Sequence, residues 1–142
     1  METTQLHRGR LIDHLQLVVR DFEASRDFYM AVLAVLEIPV VDTTAGYFWA
    51  DELVVSSVES PAALGVPTGR HHMAFQAKDR ATVDAFYQVA LAHGARDNGA
   101  PGERPYHPGY YAAFVLDPDG NNIEVVYHGE ARRSAPSVLI DF

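Results

Sequence analysis

Two stretches of the chain repeat one alternation of apolar and polar residues followed by one helical spacing. The first begins at Asp13 and reads DHLQLVVRDFEASRDFYMAVL; the second begins at His71 and reads HHMAFQAKDRATVDAFYQVAL. Alternation with a period of two predicts a strand, and apolar residues recurring every three or four positions predict an amphipathic helix. The matching pairs share an offset of 58 positions: His14–His72, Leu17–Phe75, Asp21–Asp79, Phe28–Phe86, Tyr29–Tyr87 and Leu33–Leu91. We infer an internal duplication.

The first copy predicts a strand over 10–20, a helix over about 22–36 and then two strands joined near Asp51 and Glu52. Asp21 suits the N-cap of the helix, because its carboxylate can accept a free backbone N–H. Pro39 ends the helix, because it has no N–H to donate.

The second copy predicts a strand over 71–77, a helix over 81–93 that stops at Gly94, and strands over 111–116 and 122–128. The last two strands flank DPDGN, which favours a type I turn. The stretch ESPAALGVPTG predicts a linker between the copies, and RDNGAPGERPYHPGYY predicts a long loop because it is rich in Gly and Pro. The final 14 residues, from Gly129 onward, are expected to form an irregular extension or an edge segment.

Each copy therefore predicts a βαβββ module, the first over 10–58 and the second over 70–128, within one α+β domain spanning 1–142. The helix of such a module covers one face of its sheet and leaves the other face bare. Two modules can complete each other by curving their sheets around a shared cleft.

Composition narrows the classes of partner. The formal net charge of −8 argues against nucleic acid and anionic membranes, which both attract basic surfaces. The chain has no Cys, which excludes disulfides and thiolate ligands or nucleophiles. No apolar stretch approaches the ~18 residues of a membrane span, and the N-terminus lacks the apolar core of a signal peptide. We expect a cytoplasmic protein that binds a small molecule.

Three side chains suggest a metal site. Side chains alternate across a strand, so those of His14 and His72 should lie on the face away from each helix. The same alternation turns Glu124 toward that face in the last strand. Two His and one carboxylate with open positions form the ligand set of many catalytic sites for divalent metals, including Fe, Mn, Ni, Zn and Co.

The motifs DHLQLVVRDFEASRDFY, HHMAFQAKDRATVDAFY and DPDGNNIEVV resemble the vicinal oxygen chelate superfamily, also called the glyoxalase/bleomycin-resistance/extradiol-dioxygenase group. The resemblance covers about 10–128. It implies paired βαβββ modules, a divalent metal in the cleft and a homodimer. It also implies that His14, His72 and Glu124 are the metal ligands.

The resemblance to individual members is uneven. Glyoxalase I has a fourth ligand, a Glu, on the last strand of its first module, where this chain reads LVVSSV and offers only Ser56 or Ser57. Lactoylglutathione lyase activity in the strict sense is therefore not expected. The His-His-Glu set of the extradiol dioxygenases around Fe(II) matches better.

Other residues are candidates for catalysis or for binding the substrate. His107 and Tyr111 are the catalytic candidates, although His107 could equally pack against its Tyr and Pro neighbours. The candidates for substrate binding are Trp49, Tyr110, Gln16 and Gln76; core packing for the aromatic residues and solvation for the glutamines are the alternatives. His128 shares the parity of Glu124 but lies four residues on, about 13 Å along a strand, too far for the same metal.

Two functions from different classes stay open. One is a metal-dependent glyoxalase- or dioxygenase-like enzyme in which the metal acts as a Lewis acid on two vicinal oxygens of a substrate. The other is a metal-free binding protein, like the antibiotic-sequestering members of the superfamily. The candidate ligand triad favours the enzyme.

Overall fold

The computed structural model describes residues 5–9, 12–43, 46–61, 71–132 and 137–141. Most of the expected linker, residues 62–69, lies outside the described residues. The helices are α1 (Phe22–Val35) and α2 (Arg80–Ala92). The strands are β1 (Gln5–Arg8), β2 (Leu15–Val19), β3 (Val41–Asp42), β4 (Tyr47–Ala50), β5 (Leu53–Ser57), β6 (His72–Gln76), β7 (Arg96–Glu103), β8 (Tyr111–Leu116), β9 (Asn122–Tyr127) and β10 (Val138–Asp141).

Two four-stranded mixed sheets account for the two modules. The first has the order β2-β5-β4-β3 and the second β6-β9-β8-β7. In each, the first strand of the module runs parallel to the last, and the remaining pairs are antiparallel. The expected α+β fold of two βαβββ modules is confirmed. No helix in the described part of the chain is long and apolar enough to cross a membrane.

The residues shared by the two copies build the helices and the core. Asp21 caps α1 by accepting from the Ala24 N–H at 3.1 Å, and Asp79 caps α2 by accepting from the Thr82 N–H at 2.7 Å. The paired Phe28 and Phe86 are 0% and 1% exposed. The repeat is therefore mainly a repeat of helix caps and of residues that pack against a sheet.

The alternation of β2 and β6 separates a helix face from an open face. Leu17 and Val19 are buried under the helices, whereas Leu15 is 45% exposed. Leu15 begins the strand, and β2 is shorter than the predicted 10–20. In β6, His72 and Gln76 are exposed on the open face.

The Gly- and Pro-rich stretch after α2 is not wholly a loop, which corrects the sequence prediction. Residues Arg96–Glu103 form β7, an edge strand antiparallel to β8. Its register shifts between Asp97 and Gly99 and again between Gly99 and Gly102, which marks bulges. Edge strands and bulges tolerate Pro and Gly, because not every backbone N–H has to join the ladder.

The two ends of the chain also pair. β1, which the sequence pattern did not predict, forms a two-stranded antiparallel sheet with β10. Of the two alternatives for the C-terminal residues, the edge segment therefore describes 138–141.

The DPDGN turn ties the second module to α1. The buried Asp117 carboxylate accepts the backbone N–H groups of Asp119 and Asn121, at 2.9 and 2.8 Å. It also accepts the hydroxyl of Tyr29 from α1, at 2.5 Å. Burial and the neighbouring Asp117 carboxylate raise the pKa of Tyr29 well above its ordinary value. The turn is therefore a structural joint between the modules.

Candidate metal centre

His72 and Glu124 meet on the open face of the second sheet. β6 pairs with β9 in parallel, with Ala74 opposite Glu124, so His72 and Glu124 are diagonal neighbours on one face. The His72 Nε2 lies 2.9 Å from Glu124 Oε2. Glu124 is 4% exposed, and His72 stands at the surface above it. Two of the three predicted ligands are thus brought together within one module.

The contact of His72 Nδ1 bears on whether Nε2 donates or accepts a hydrogen bond. Its Nδ1 lies 3.2 Å from the backbone carbonyl oxygen of Asn122, which can only accept. A neutral ring with its hydrogen on Nδ1 donates to this carbonyl and turns the lone pair of Nε2 toward the carboxylate, whereas a ring with its hydrogen on Nε2 donates to the carboxylate. The first of these two arrangements is the one in which a metal ion can lie between His72 Nε2 and Glu124. A carbonyl that orients a His in this way is the usual partner of metal-binding histidines.

Tyr110 holds the other oxygen of Glu124. Its hydroxyl donates to Glu124 Oε1, while Oε2 faces His72. Burial, followed by the hydrogen bond and the charge of Glu124, raises the pKa of Tyr110 to about 12. Tyr110 therefore keeps its proton at neutral pH and fixes the orientation of the carboxylate. It was expected to line a substrate pocket, and its observed contact is with a candidate ligand.

Phe114 completes the floor of this site. It is opposite Glu124 in the register of β8 and β9, and its ring stacks against the His72 ring with centroids 6.0 Å apart. Sequence reasoning missed Phe114. The available signal was the alternation of side chains along β8, which places Phe114 on the same face of the sheet as Glu124.

His107 lies beside this group and pairs with His128. The His107 Nε2 is 2.9 Å from His128 Nδ1, and each ring meets the Tyr110 ring edge-on at 5.2 Å. The chain segments carrying them cross at Gly109 and Gly129, where φ is +85° and +87°. A Cβ on Gly109 would stand 3.5 Å from the Gly129 Cα. Glycine therefore allows the approach that brings the two imidazoles together.

His14 stands apart from His72 and Glu124 within the chain. It lies just before β2, is exposed, and its Nδ1 is 2.6 Å from the Asp13 carboxylate. Within the described ranges, no three His, Asp or Glu side chains gather closely enough to hold a metal ion. The prediction that His14, His72 and Glu124 converge is not met inside one copy of the chain.

Tyr111 and Trp49 are not neighbours of the His72–Glu124 pair. Tyr111 lies on the helix face, where its hydroxyl donates to Asp84 at 2.7 Å and its ring lies 4.6 Å from the Arg80 guanidinium. That hydrogen bond raises the pKa of Tyr111. Alternation in β8 thus turns Tyr111 away from Glu124, and the catalytic role expected for Tyr111 stays a prediction. Trp49 lies in the first sheet, edge-on to Tyr47 at 6.4 Å.

The two glutamines belong to different sheets. Gln16 donates to the buried Ser56 at 2.8 Å and to Ser60 at 3.2 Å, so it is engaged within the first module. Gln76 lies in a groove of about 540 Å³ at the far end of β6 and β9, together with Lys78 and His128.

Comparison with known proteins agrees with the fold. Residues 11–125 match the model of the Glyoxalase/Bleomycin resistance protein/Dioxygenase superfamily. The uncharacterized protein YqjT of Bacillus subtilis (strain 168) is 30% identical over 126 residues, which cover 80% of this chain and 95% of YqjT.

Two crystal structures show the same fold. A glyoxalase/bleomycin resistance protein from Albidiferax ferrireducens T118 is 27% identical, with a TM-score of 0.66 over 82% of this chain and 98% of that one. A glyoxalase-related enzyme from Fulvimarina pelagi is 17% identical, with a TM-score of 0.70 over 93% of this chain and 98% of that one. The family match spans most of the chain and includes both His-led strands and all but the end of β9. The chain belongs to the Glyoxalase/Bleomycin resistance protein/Dioxygenase superfamily.

Proposed function

We propose that this protein is a divalent-metal-dependent enzyme of glyoxalase or dioxygenase type that binds a small substrate through two vicinal oxygens. The observation that carries the proposal is the pairing of His72 Nε2 with a buried Glu124 carboxylate, each oriented by a further hydrogen bond. Hydrogen bonds to the other ring nitrogen and to the other carboxylate oxygen orient the two groups, as they orient the ligands of a metal ion.

The spacing of the two groups suits neighbouring ligands of one ion. Metal–nitrogen and metal–oxygen distances of about 2.0–2.2 Å place ligands at right angles about 3 Å apart. The observed separation of 2.9 Å between His72 Nε2 and Glu124 Oε2 matches that value. Neutral imidazole and carboxylate are acceptable to Fe, Mn, Ni, Zn and Co alike.

We propose that the third ligand is His14 from a second copy of the chain, in a homodimer. His14 has the parity of Gln16 and therefore belongs to the open side of the first sheet, as His72 belongs to that of the second. The open face of the second sheet carries exposed and half-buried side chains in the single copy. Joining the first sheet of one copy to the second sheet of the other covers both faces and completes two equivalent sites.

The residues around the site have separate roles in binding and catalysis. A bound divalent ion supplies Lewis acidity to two vicinal oxygens of the substrate and stabilises the negative charge that develops on them. Tyr110 fixes Glu124, and Phe114 provides an apolar floor against which His72 stacks. His107 remains the acid–base candidate, because its imidazole stands next to Tyr110 and is hydrogen-bonded to His128.

Metal loading tests the proposal. The purified protein is incubated separately with Mn²⁺, Fe²⁺, Co²⁺, Ni²⁺ and Zn²⁺, desalted, and analysed for metal per chain. We expect about one ion per chain for at least one of these metals, and its loss in His72→Ala. His93→Ala is the matched control, because His93 caps α2 with its Nδ1 2.9 Å from the Val89 carbonyl oxygen, away from the site.

Two results would overturn the proposal. One is a wild-type protein that retains none of the five metals; the other is a His72→Ala variant that retains as much metal as the wild type. Tight binding of a small molecule by the metal-free protein would then favour the sequestering function.

A further inference from the structure

The Gly- and Pro-rich strand β7 holds the side chain of Arg104 in one position. The Arg104 backbone N–H donates to the Tyr110 carbonyl oxygen at 2.9 Å, which continues the pairing of β7 with β8. Its neighbour Glu103 faces the helix side and pairs with Arg80 at 2.7 Å. Arg104 therefore faces the open side, the side of His72 and Glu124.

The guanidinium of Arg104 is held by backbone groups. One Nη donates to the Ala100 carbonyl oxygen at 2.8 Å and the other to the Glu103 carbonyl oxygen at 3.3 Å. The guanidinium carbon lies 5.4 Å from the centre of the Phe114 ring. These contacts fix the position of the group and leave its charge uncompensated.

Two glycines make room for the guanidinium. A Cβ on Gly102 would lie 3.0 Å from Nη1 of Arg104, and a Cβ on Gly99 would lie 3.3 Å from Nη2. Gly99 also has a φ of +147°, in a bulge of the strand. The glycines that make the composition of β7 look like that of a loop therefore leave space for the guanidinium.

No carboxylate of the described residues lies within ion-pair distance of Arg104. The half-buried Arg26, by contrast, pairs with Glu23. A half-buried cation without a carboxylate is unexpected in a chain of net charge −8, where acidic partners are abundant. A guanidinium has five donors, and the backbone carbonyls leave some of them for a ligand.

This cation stands close to the candidate metal centre. Phe114 contacts both groups: the centre of its ring lies 5.4 Å from the Arg104 guanidinium carbon and 6.0 Å from the centre of the His72 ring. The guanidinium and the imidazole are therefore separated by at most the sum of these two distances. We propose that Arg104 binds an anionic group of the substrate, so that the substrate carries a carboxylate or phosphate in addition to its two chelating oxygens. This inference rests on the proposed metal-dependent function and names the substrate class of the same site.

Matched pairs of hydroxy acids test it on the Mn²⁺-loaded protein. Lactate and malate share a chelating 2-hydroxycarboxylate, and only malate has a second carboxylate. Glycerate and 3-phosphoglycerate form the corresponding pair for a phosphate. Affinities are measured by titration calorimetry for the wild type, Arg104→Gln and Arg104→Lys, with Arg26→Gln as the control that removes one positive charge from α1.

We expect the wild type to bind at least one doubly anionic acid about tenfold more tightly than its partner, since hydrogen bonds to charged groups are the stronger ones. The pair that shows the preference identifies the carboxylate or the phosphate as the group that is bound. Arg104→Gln should lose this preference and keep the affinity for lactate and glycerate. Arg104→Lys should retain part of it, and Arg26→Gln all of it.

The failures of the two proposals can be told apart. Mn²⁺ binding with no preference in the wild type, or with a preference that survives in Arg104→Gln, overturns the anion subsite alone. A wild type that binds Mn²⁺ but none of the four acids likewise overturns the anion subsite alone, whereas a wild type that binds no metal overturns the proposed function and the subsite with it.

Discussion

Replacing Tyr29 with Phe removes one hydroxyl from the joint between the two modules. That hydroxyl donates to Asp117 Oδ2 at 2.5 Å, and the two residues are 0% and 2% exposed. The rest of the Tyr29 ring packs edge-on against Phe28 at 4.9 Å, and Phe can reproduce that contact. The substitution therefore isolates the hydrogen bond.

The expected cost follows from the charge and burial of the pair. A hydrogen bond to a charged group contributes about 1.5–3 kcal/mol, and Asp117 cannot recover this one from water. The N–H groups of Asp119 and Asn121 still neutralise part of the carboxylate, which places the loss in the middle of that range. We expect Tyr29→Phe to lower the free energy of unfolding by about 2 kcal/mol and the melting temperature by about 6 °C.

The duplication supplies a matched control for this measurement. Tyr87 is the counterpart of Tyr29 in the second copy, and its hydroxyl donates to Asp97 at 2.9 Å within its own module. Because Asp97 is exposed, water can replace the lost donor, and Tyr87→Phe should cost clearly less in urea and thermal unfolding. Equal losses in the two variants, or no loss in Tyr29→Phe, would refute the reasoning that the joint depends on a buried carboxylate.

Three further predictions concern the site and the N-cap of α1. Because the pKa of Tyr110 is raised from 10.0 to about 12, its protonated form stabilises the fold fully below pH 10 and loses that contribution as the pH approaches 12. Urea unfolding at a series of pH values should show the wild type losing stability over this interval relative to Tyr110→Phe; parallel curves would contradict the assignment. The same variant should bind a metal about 10–100-fold more weakly in competition with a chelator, because Glu124 loses its orienting donor; unchanged affinity would argue against that role. Asp21→Ala should destabilise the chain by about 1 kcal/mol in thermal unfolding, since the Ala24 N–H loses its acceptor at 3.1 Å, and a change near zero would contradict the capping role.

The parts of the fold that follow from local patterns could be predicted from the sequence. Asp21 and Asp79 begin helices because a side-chain oxygen satisfies a free N–H, and this requires no knowledge of tertiary structure. The alternation of β6 and β9 correctly placed His72 and Glu124 on one face. Both predictions depend on residues close together in the chain and on the fixed two-residue period of a strand.

The parts that depend on edges and on packing between distant segments could not be predicted in the same way. β7 contains Gly99, Pro101 and Gly102, which rule out a central strand but not a bulged edge strand, and only the partner β8 decides between the two. Tyr110 and Tyr111 are consecutive in the sequence and were both candidates for the site. Because side chains alternate along a strand, their hydroxyls lie on opposite faces of the sheet.

The position of His14 shows a further limit. Parity alone puts it on the open side of the first sheet. It does not say whether that side meets the second sheet of the same chain or of another, because strand alternation contains no information about which copy supplies the facing surface.

A heterodimer of His14→Ala and His72→Ala chains tests the central claim most directly. The two variants carry different affinity tags, are co-expressed and are purified through both tags before the metal content is measured. If each site combines His14 of one copy with His72 and Glu124 of the other, the heterodimer contains one intact site and one site lacking both histidines. We predict about one ion per heterodimer and almost none in either homodimeric variant. A heterodimer as empty as its parents would contradict the shared site, and homodimers that keep the full metal content would contradict the assignment of His14 and His72 as ligands.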